Sequence, residues 1–131
     1  MGLGEVLGLK NSAHLADITQ TKLPEKSGYG VLDSGLLVAQ QTVADMTVKC
    51  SAGTMYMANG NRFVIPAVAS IAVTAADATN PRKDIVYVSS LGVVSYLAGT
   101  PAATPTAPAI PAGGQLLAEL SVAANATSVV T

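Results

Sequence analysis

Charged residues are scarce in this chain of 131 residues. Asp, Glu, Lys and Arg make up 11% of it, against about 25% in an average soluble domain. The scarcity is greatest beyond Asp84, where Glu119 is the one residue of these four types before the chain ends at Thr131. This number of charged residues is too small to cover the surface of a soluble monomer. We therefore expect the C-terminal half to present a neutral surface to another protein.

Clusters of positive charge and long apolar runs are also lacking. The net charge is −1, and the seven basic residues are scattered along the chain, which leaves no electrostatic footprint for nucleic acid or an anionic membrane. No apolar run approaches the roughly 18 residues that cross a bilayer. The first nine residues carry Glu5 where a signal peptide would carry basic residues. We therefore expect no nucleic-acid partner, no membrane association and no export by a signal peptide.

Cysteine and histidine occur once each, as Cys50 and His14. A single cysteine cannot form a disulfide within the chain, which fits folding in a reducing cytosol. Ser12, His14 and Asp17 lie too close together on one short segment to adopt the geometry of a catalytic triad in a water-excluded pocket. We expect His14 to be solvated or to lie in an interface.

Metal ligands are not concentrated anywhere in the sequence. Asp77, Thr79 and Asn80 offer oxygen atoms that a cation could use, but polar residues before a proline are also ordinary turn chemistry. We therefore assign no catalytic, cofactor-binding or metal-binding residues, expect no cofactor, and predict that the protein is not an enzyme.

The most regular pattern lies between residues 80 and 122. Two apolar runs rich in β-branched and aromatic residues, 85–88 and 93–97, flank a short connection that contains Gly92. This pattern predicts a β-hairpin with a positive φ at Gly92. A third apolar run, 116–122, predicts a strand that returns to the hairpin.

A segment rich in Pro, Ala and Thr, residues 100–113, connects the hairpin to the return strand, and we call it the bridge. Its prolines at 105, 108 and 111 recur every third residue, which is the period of a polyproline II helix, so Ala107 and Ile110 share an edge that we expect to face the core. The bridge could span roughly 40 Å and is interpreted as a crossover between sheets. The alternative, a Pro-x-x-Pro ligand for an SH3-like partner, is disfavoured because no basic residue lies nearby.

Residues 34–131 read as one β domain. Residues 46–51 alternate between apolar and polar, which places Met46, Val48 and Cys50 on the inner side of a strand. Asn59-Gly60-Asn61 is a hairpin turn of the Asn-Gly type. Together these patterns predict an all-β fold, a β-sandwich of about eight short antiparallel strands or a partly closed barrel. The remaining predicted strands are 36–39, 54–57, 62–65, 69–74 and 128–130.

Residues 1–33 have weak periodicity, and we interpret them as an N-terminal arm. Within the arm, 12–18 could form a short helix capped by Asn11 or Ser12. A helix of this length is unstable alone in water, so it must dock on another surface or fray.

Four motifs stand out in the C-terminal half: Ala78-Thr79-Asn80-Pro81-Arg82-Lys83-Asp84-Ile85-Val86, Gly99-Thr100-Pro101-Ala102-Ala103-Thr104-Pro105, Pro108-Ala109-Ile110-Pro111-Ala112-Gly113 and Leu116-Leu117-Ala118-Glu119-Leu120-Ser121-Val122. Gly53 and the hairpin Asn59-Gly60-Asn61-Arg62 precede them. Together these residues resemble a module of tailed-bacteriophage structural proteins, which occurs in baseplate, tail-tip and tail-fibre proteins, and the resemblance covers about residues 45–131. It extends to the N-terminal (shoulder) β-sandwich domain of trimeric receptor-binding proteins of phages that infect Gram-positive bacteria.

The resemblance implies a virion structural protein at the tail tip or baseplate, made in the host cytoplasm, with other tail proteins as partners and no catalytic residues. It also implies a homotrimer, and strands that are apolar on both sides, such as 85–88, independently favour some oligomer. Relatives usually continue into a neck or host-binding head where this chain reaches Thr131. The alternative is a module that binds cell-wall glycan or teichoic acid on the host; four tyrosines, no tryptophan and scattered basic residues count against it.

Overall fold

The computed structural model describes residues 16–20, 30–31, 35–57 and 60–130, and these residues form ten strands and no helix. Eight of the strands, β3 to β10, lie beyond residue 34, which confirms the predicted all-β fold. The strands are β1 (Ala16–Gln20), β2 (Gly30–Val31), β3 (Val38–Gln40), β4 (Thr47–Cys50), β5 (Gly53–Tyr56), β6 (Arg62–Ile65), β7 (Val68–Ala72), β8 (Arg82–Val88), β9 (Val94–Leu97) and β10 (Gln115–Val122).

The strands form three sheets in a sandwich-like arrangement, and every pairing is antiparallel. A four-stranded sheet has the order β1-β10-β8-β9, and two three-stranded sheets have the orders β2-β5-β6 and β3-β4-β7. All three sheets contribute to one apolar core. Its buried side chains include Val38, Val48, Met55, Ile65, Val86, Val88, Leu117 and Leu120.

Both hairpins predicted from glycine-containing turns are present. β8 and β9 are joined by a turn in which Gly92 has a φ of 78°, and β5 and β6 by a turn in which Gly60 has a φ of 91°. The β8–β9 turn is closed by hydrogen bonds from the Ser89 amide to the Val93 carbonyl, at 2.8 Å, and from the Gly92 amide to the Ser89 carbonyl, at 2.9 Å. Positive φ is costly for residues with a Cβ, which is why glycine occupies both positions.

The alternation in β4 is confirmed, since Val48 and Cys50 are buried and Met46 packs against the core. The chain then changes sheet between Cys50 and Gly53. A Cβ on Gly53 would lie 2.8 Å from Cγ of Leu36, so the two backbones approach closely there only because residue 53 is glycine.

The predicted helix at 12–18 is wrong in its described part, because Ala16–Gln20 is strand β1. This strand pairs with β10 along its whole length, from Ala16 opposite Val122 to Gln20 opposite Ala118, and the Ile18 side chain is buried. Pairing with the otherwise open edge of β10 outweighs the weak local preference of a short helix. Residues 1–15, with Ser12 and His14, lie outside the described residues.

The bridge packs on the outer side of the four-stranded sheet. The Ala102 amide donates to the Pro81 carbonyl at 3.0 Å, and Cδ of Pro108 lies 3.4 Å from the position of a Cβ on Gly99. The prediction that Ile110 faces the core is wrong: its side chain is 39% exposed and lies near Gly114, on the Tyr87 side of β8. The inner side of β8 is already filled by Val86 and Val88, so the bridge occupies the other side.

The chain itself covers the outer side of β8 at Ile85. Ile85 is 1% exposed although it does not belong to the main core, and its partners in the sheet are Leu97 and Glu119. A neighbouring subunit is therefore not needed to bury this residue. The trimer stays a prediction that depends on the family resemblance.

The predicted last strand, 128–130, does not form. Val129 is buried in the core, and its amide donates to the Asp45 carbonyl at 2.7 Å. The segment makes a single bridge, at Val129, instead of a strand.

Candidate functional site

A buried ionic network joins β8 and β9. Residues alternate sides along a strand, so Arg82 and Asp84 lie on the same inner side of β8 as Val86. Their exposed fractions are 3% and 0%. The Arg82 Nε atom donates to both carboxylate oxygens of Asp84, at 2.8 and 3.1 Å. A charged pair this deep is tolerated only when its remaining hydrogen-bonding atoms also have partners.

The carboxylate of Asp84 accepts two further hydrogen bonds. The Tyr96 hydroxyl donates to Oδ2 at 2.5 Å, and the Gly99 amide donates to Oδ1 at 2.9 Å. The Tyr96 oxygen in turn accepts a hydrogen bond from the Thr74 amide at 3.0 Å. Asp84 therefore ties β9 and the entrance to the bridge to β8.

The guanidinium of Arg82 completes the network. Nη1 donates to the Ala75 carbonyl at 2.7 Å, and Nη2 donates to the Thr74 carbonyl. Among the described residues, no buried side-chain nitrogen or oxygen lacks a hydrogen-bond partner. The network therefore also fixes the segment that follows β7.

Burial raises the pKa of Tyr96, and its hydrogen bond to Asp84 raises that pKa further. Burial lowers the pKa of Arg82, but the hydrogen bond and charge of Asp84 outweigh this effect and leave that pKa above its ordinary value. The tyrosine stays a neutral donor and the arginine stays a cation at neutral pH. Every polar atom is already engaged, so the network offers no group to a substrate, and we interpret it as a clamp between strands.

The Asp77 side chain is hydrogen-bonded within its own turn. Its Oδ2 accepts hydrogen bonds from the Asn80 amide at 2.8 Å and the Thr79 amide at 2.9 Å. These two bonds, the one from Asn80 first, lower the pKa of Asp77. The geometry is that of an Asx turn. No group of three or more His, Cys, Asp or Glu side chains that could hold a metal ion occurs among the described residues.

An exposed apolar surface lies at the β8–β9 turn, and we call it the apolar tip: Leu91 and Val93. These side chains are 81% and 57% exposed. The turn lies against β6, because a Cβ on Gly92 would be 2.5 Å from the Phe63 ring. Exposed apolar side chains held together on an ordered turn are a candidate protein-binding surface.

An apolar groove of about 260 Å³ lies in the outer side of the β3-β4-β7 sheet. Leu37 and three alanines, Ala39, Ala67 and Ala69, line it, and Lys49 is its one charged lining residue. We call this surface the alanine groove. Small side chains on adjacent strands leave the space that larger ones would fill.

Cys50 contributes to the lining of the alanine groove from below. Its side chain is buried, and burial raises the pKa of the thiol to about 11. The thiol is therefore protonated at neutral pH, which makes it a poor nucleophile. We interpret Cys50 as a core residue.

Neither the buried network nor the alanine groove was predicted from the sequence. Arg82 and Asp84 occupy alternate positions before Val86, and this spacing is the sequence signal that they share one side of a strand. The groove has no signal in the linear sequence, because Ala39 and Ala69 become neighbours only when β3 and β7 both pair with β4.

Comparison with known proteins gives no family assignment: no family model, curated protein or solved structure matches the chain. The described residues contain no helix long and apolar enough to cross a membrane.

Proposed function

We propose that this chain is a structural component of a bacteriophage virion, located in the tail tip or baseplate, that acts through contacts with other tail proteins and not as an enzyme. The observation that carries the proposal is the apolar tip, where Leu91 and Val93 are exposed on an ordered turn. The resemblance of residues 45–131 to phage tail modules supplies the kind of assembly. The structure agrees with it only at the level of an all-β, sandwich-like fold class.

The apolar tip is suited to a protein partner because it is held in one conformation. The Ser89 Oγ atom accepts hydrogen bonds from the amides of Leu91 and Val93, both at 3.3 Å, and Gly92 contacts Phe63. A surface that is already ordered loses little conformational entropy on binding. Its neutral character fits the apolar centre of a protein–protein interface.

Host-wall glycan or teichoic acid is less well suited to this surface. Sugar-binding sites usually present an aromatic face. The aromatic side chains that the structure describes, Phe63, Tyr56, Tyr87 and Tyr96, are each at least half-covered in sheets, and the Tyr96 hydroxyl is engaged by Asp84. Teichoic acid is anionic, and the apolar tip carries no charge of its own. We therefore favour the protein partner.

A homotrimer belongs to the same proposal, with the number three taken from the resemblance. Light scattering coupled to size exclusion should give about three times the chain mass of 13.1 kDa. A monomer at micromolar concentration would remove the trimer but leave contacts with other tail proteins possible.

The proposal can be tested by immobilising the chain and passing over it tail proteins encoded beside it or, separately, purified host cell walls. The variant Leu91→Glu/Val93→Glu places two charges in the apolar tip and should reduce retention of a tail protein by about tenfold or more. Val43→Glu is the matched control, because Val43 is as exposed as Leu91, at 81%, but lies between β3 and β4.

Retention of a tail protein by the wild type and by Val43→Glu, with loss in the double variant, would support the proposal. Retention of cell walls without any tail protein would favour the glycan-binding alternative. Equal retention of a tail protein by all three chains would show that the apolar tip is not the contact surface.

A further inference from the structure

The alanine groove has the features of a site for an extended apolar segment. It runs across three strands, its lining is almost entirely apolar, and the alanines at 39, 67 and 69 keep it open. Leu37 on its wall is 39% exposed. A groove that exposes apolar surface in this way gains free energy when an apolar partner fills it.

Lys49 favours an occupant of the groove that carries an acidic side chain. It lies opposite Ala39 in the pairing of β3 with β4, and its ammonium group has no ion-pair partner among the described residues. The side chain is half-buried, so a carboxylate on the occupant would be screened less by water than one on an open surface. The fitting occupant is therefore apolar with one acidic residue.

The first nine residues of this chain, Met1-Gly2-Leu3-Gly4-Glu5-Val6-Leu7-Gly8-Leu9, have this composition. In an extended segment alternate residues share a side. Met1, Leu3, Glu5, Leu7 and Leu9 would then lie on one side, and three glycines and Val6 on the other. Glu5 is the one charged residue of the nine, at the centre of the apolar side.

The position of β1 brings this segment within reach of the groove. β1 lies against β3, the strand that carries Ala39, and Ile18 and Val38 share the same core. Ten residues separate Glu5 from Ala16, and a connection of that length can extend roughly 35 Å, about the diameter of a small domain. A tethered segment also has a high effective concentration at a nearby site.

We propose that residues 1–9 bind in the alanine groove of the same chain, with their apolar side against Leu37 and the alanines and with Glu5 paired to Lys49. This contact does not depend on the proposed function. It would cover the apolar outer side of the β3-β4-β7 sheet and leave the apolar tip available to a partner.

A photocrosslinking amino acid at Leu7 of the full chain tests the contact. Irradiation followed by peptide mapping should identify crosslinks to residues 37–39, 49–51 or 67–69 at the mass of a single chain. Lys49→Glu should lower the yield about fivefold, since it replaces an attraction by a repulsion. The exchange Glu5→Lys/Lys49→Glu should restore it. Lys83→Glu, a change of another half-exposed lysine on a different sheet, should leave the yield unchanged.

Two results would overturn the proposal. Crosslinks at twice the chain mass would show that the groove takes the segment of a second copy, and crosslinks that map outside the three groove segments would show that residues 1–9 bind elsewhere. Loss of yield in Lys49→Glu without recovery in the exchanged pair would remove the Glu5–Lys49 contact. Circular dichroism of each variant distinguishes these results from unfolding.

Discussion

The Tyr96 hydroxyl donates to Oδ2 of Asp84 at 2.5 Å, and this bond joins an edge strand to the buried charge beneath it. Asp84 also accepts hydrogen bonds from the Arg82 side chain and the Gly99 amide. Four parts of the chain therefore depend on one carboxylate: β8, β9, the segment after β7 and the entrance to the bridge. We expect the fold to be more sensitive to this residue than to any other polar residue described.

Tyr96→Phe should lower the free energy of unfolding by about 1.5–3 kcal/mol, the range for hydrogen bonds to charged groups. The phenyl ring of the variant preserves the packing of β9, so the loss of unfolding free energy measures the contribution of the hydroxyl alone. Tyr87→Phe is the control, because Tyr87 lies on the outer side of β8 and should change stability by no more than about 0.5 kcal/mol. Urea denaturation followed by circular dichroism measures both, and equal losses would contradict the importance of the Tyr96–Asp84 bond.

Asp84→Asn should be more damaging, at about 3–5 kcal/mol, because it leaves the Arg82 cation buried without its counter-charge. The matched control is Asp45→Asn, since Asp45 is exposed and caps the start of β4 by accepting from the Thr47 amide at 2.8 Å. The new side-chain amide oxygen can still accept this bond, so the variant should cost no more than about 0.5 kcal/mol. If the two variants are equally stable, the buried pair does not anchor the fold.

The β8–β9 turn offers a comparison between two glycines. Gly92→Ala should cost about 2–4 kcal/mol, because it combines a positive φ with a methyl group 2.5 Å from the Phe63 ring. Gly60→Ala has the positive φ alone, with no atom within 4 Å of its added Cβ, and should cost about 1 kcal/mol. Thermal denaturation gives both values.

The contact with Phe63 can be isolated by a double variant. Phe63→Leu should make Gly92→Ala less costly than it is in the wild-type background, since a smaller side chain relieves the overlap. If Gly92→Ala and Gly60→Ala cost the same, the turn does not lie against β6 as the structure shows.

The sequence predicted the parts of the fold that depend on local pattern. Alternation in 46–51 and the glycines at 60 and 92 were sufficient for β4 and for both hairpins, because side-chain direction and positive φ are set within a few residues. The prediction for Ile110 is wrong because the period of the prolines determines which residues share an edge of the bridge, but not which side of the sheet the bridge crosses.

Long-range pairing accounts for what the sequence did not predict. Nothing near Ala16 in the sequence indicates that β10 has an open edge for it, so the local pattern predicts a weak helix where a strand forms. The alanine groove requires β3 and β7 to flank β4. Tyr96 reaches the buried pair of Arg82 and Asp84 only when β8 and β9 pair. Each of these features is a consequence of topology and not of local preference.

Ile18 provides a test of how firmly β1 belongs to the domain. Its side chain is 8% exposed, so Ile18→Asp should cost about 2–4 kcal/mol by placing a carboxylate in the core. Val43→Asp, at an exposed position, should be nearly neutral. Unchanged stability of the Ile18 variant would support a separable arm over residues 1–33, whereas the expected loss would make β1 part of the β domain.

The last prediction concerns alkaline pH and follows from Cys50. Its pKa is about 11 in the folded chain, against an ordinary value of 9.0. Below pH 9 the thiol is protonated in both states, and its contribution to stability is fully present. Between pH 9 and 11 the thiol ionises in the unfolded chain first, so the free energy of unfolding falls, by at most about 3 kcal/mol.

Cys50→Ala removes this ionisation. It should lower stability at every pH, because it empties part of the core, but it should flatten the decline between pH 9 and 11. Tyrosine and lysine titrations occur in both proteins and cancel in the comparison, including that of Tyr96, whose raised pKa also favours unfolding above about pH 10. Urea denaturation at pH 8, 9, 10 and 11 gives the two slopes. Parallel slopes would mean that the thiol is open to water when folded, which would contradict its burial beneath the alanine groove.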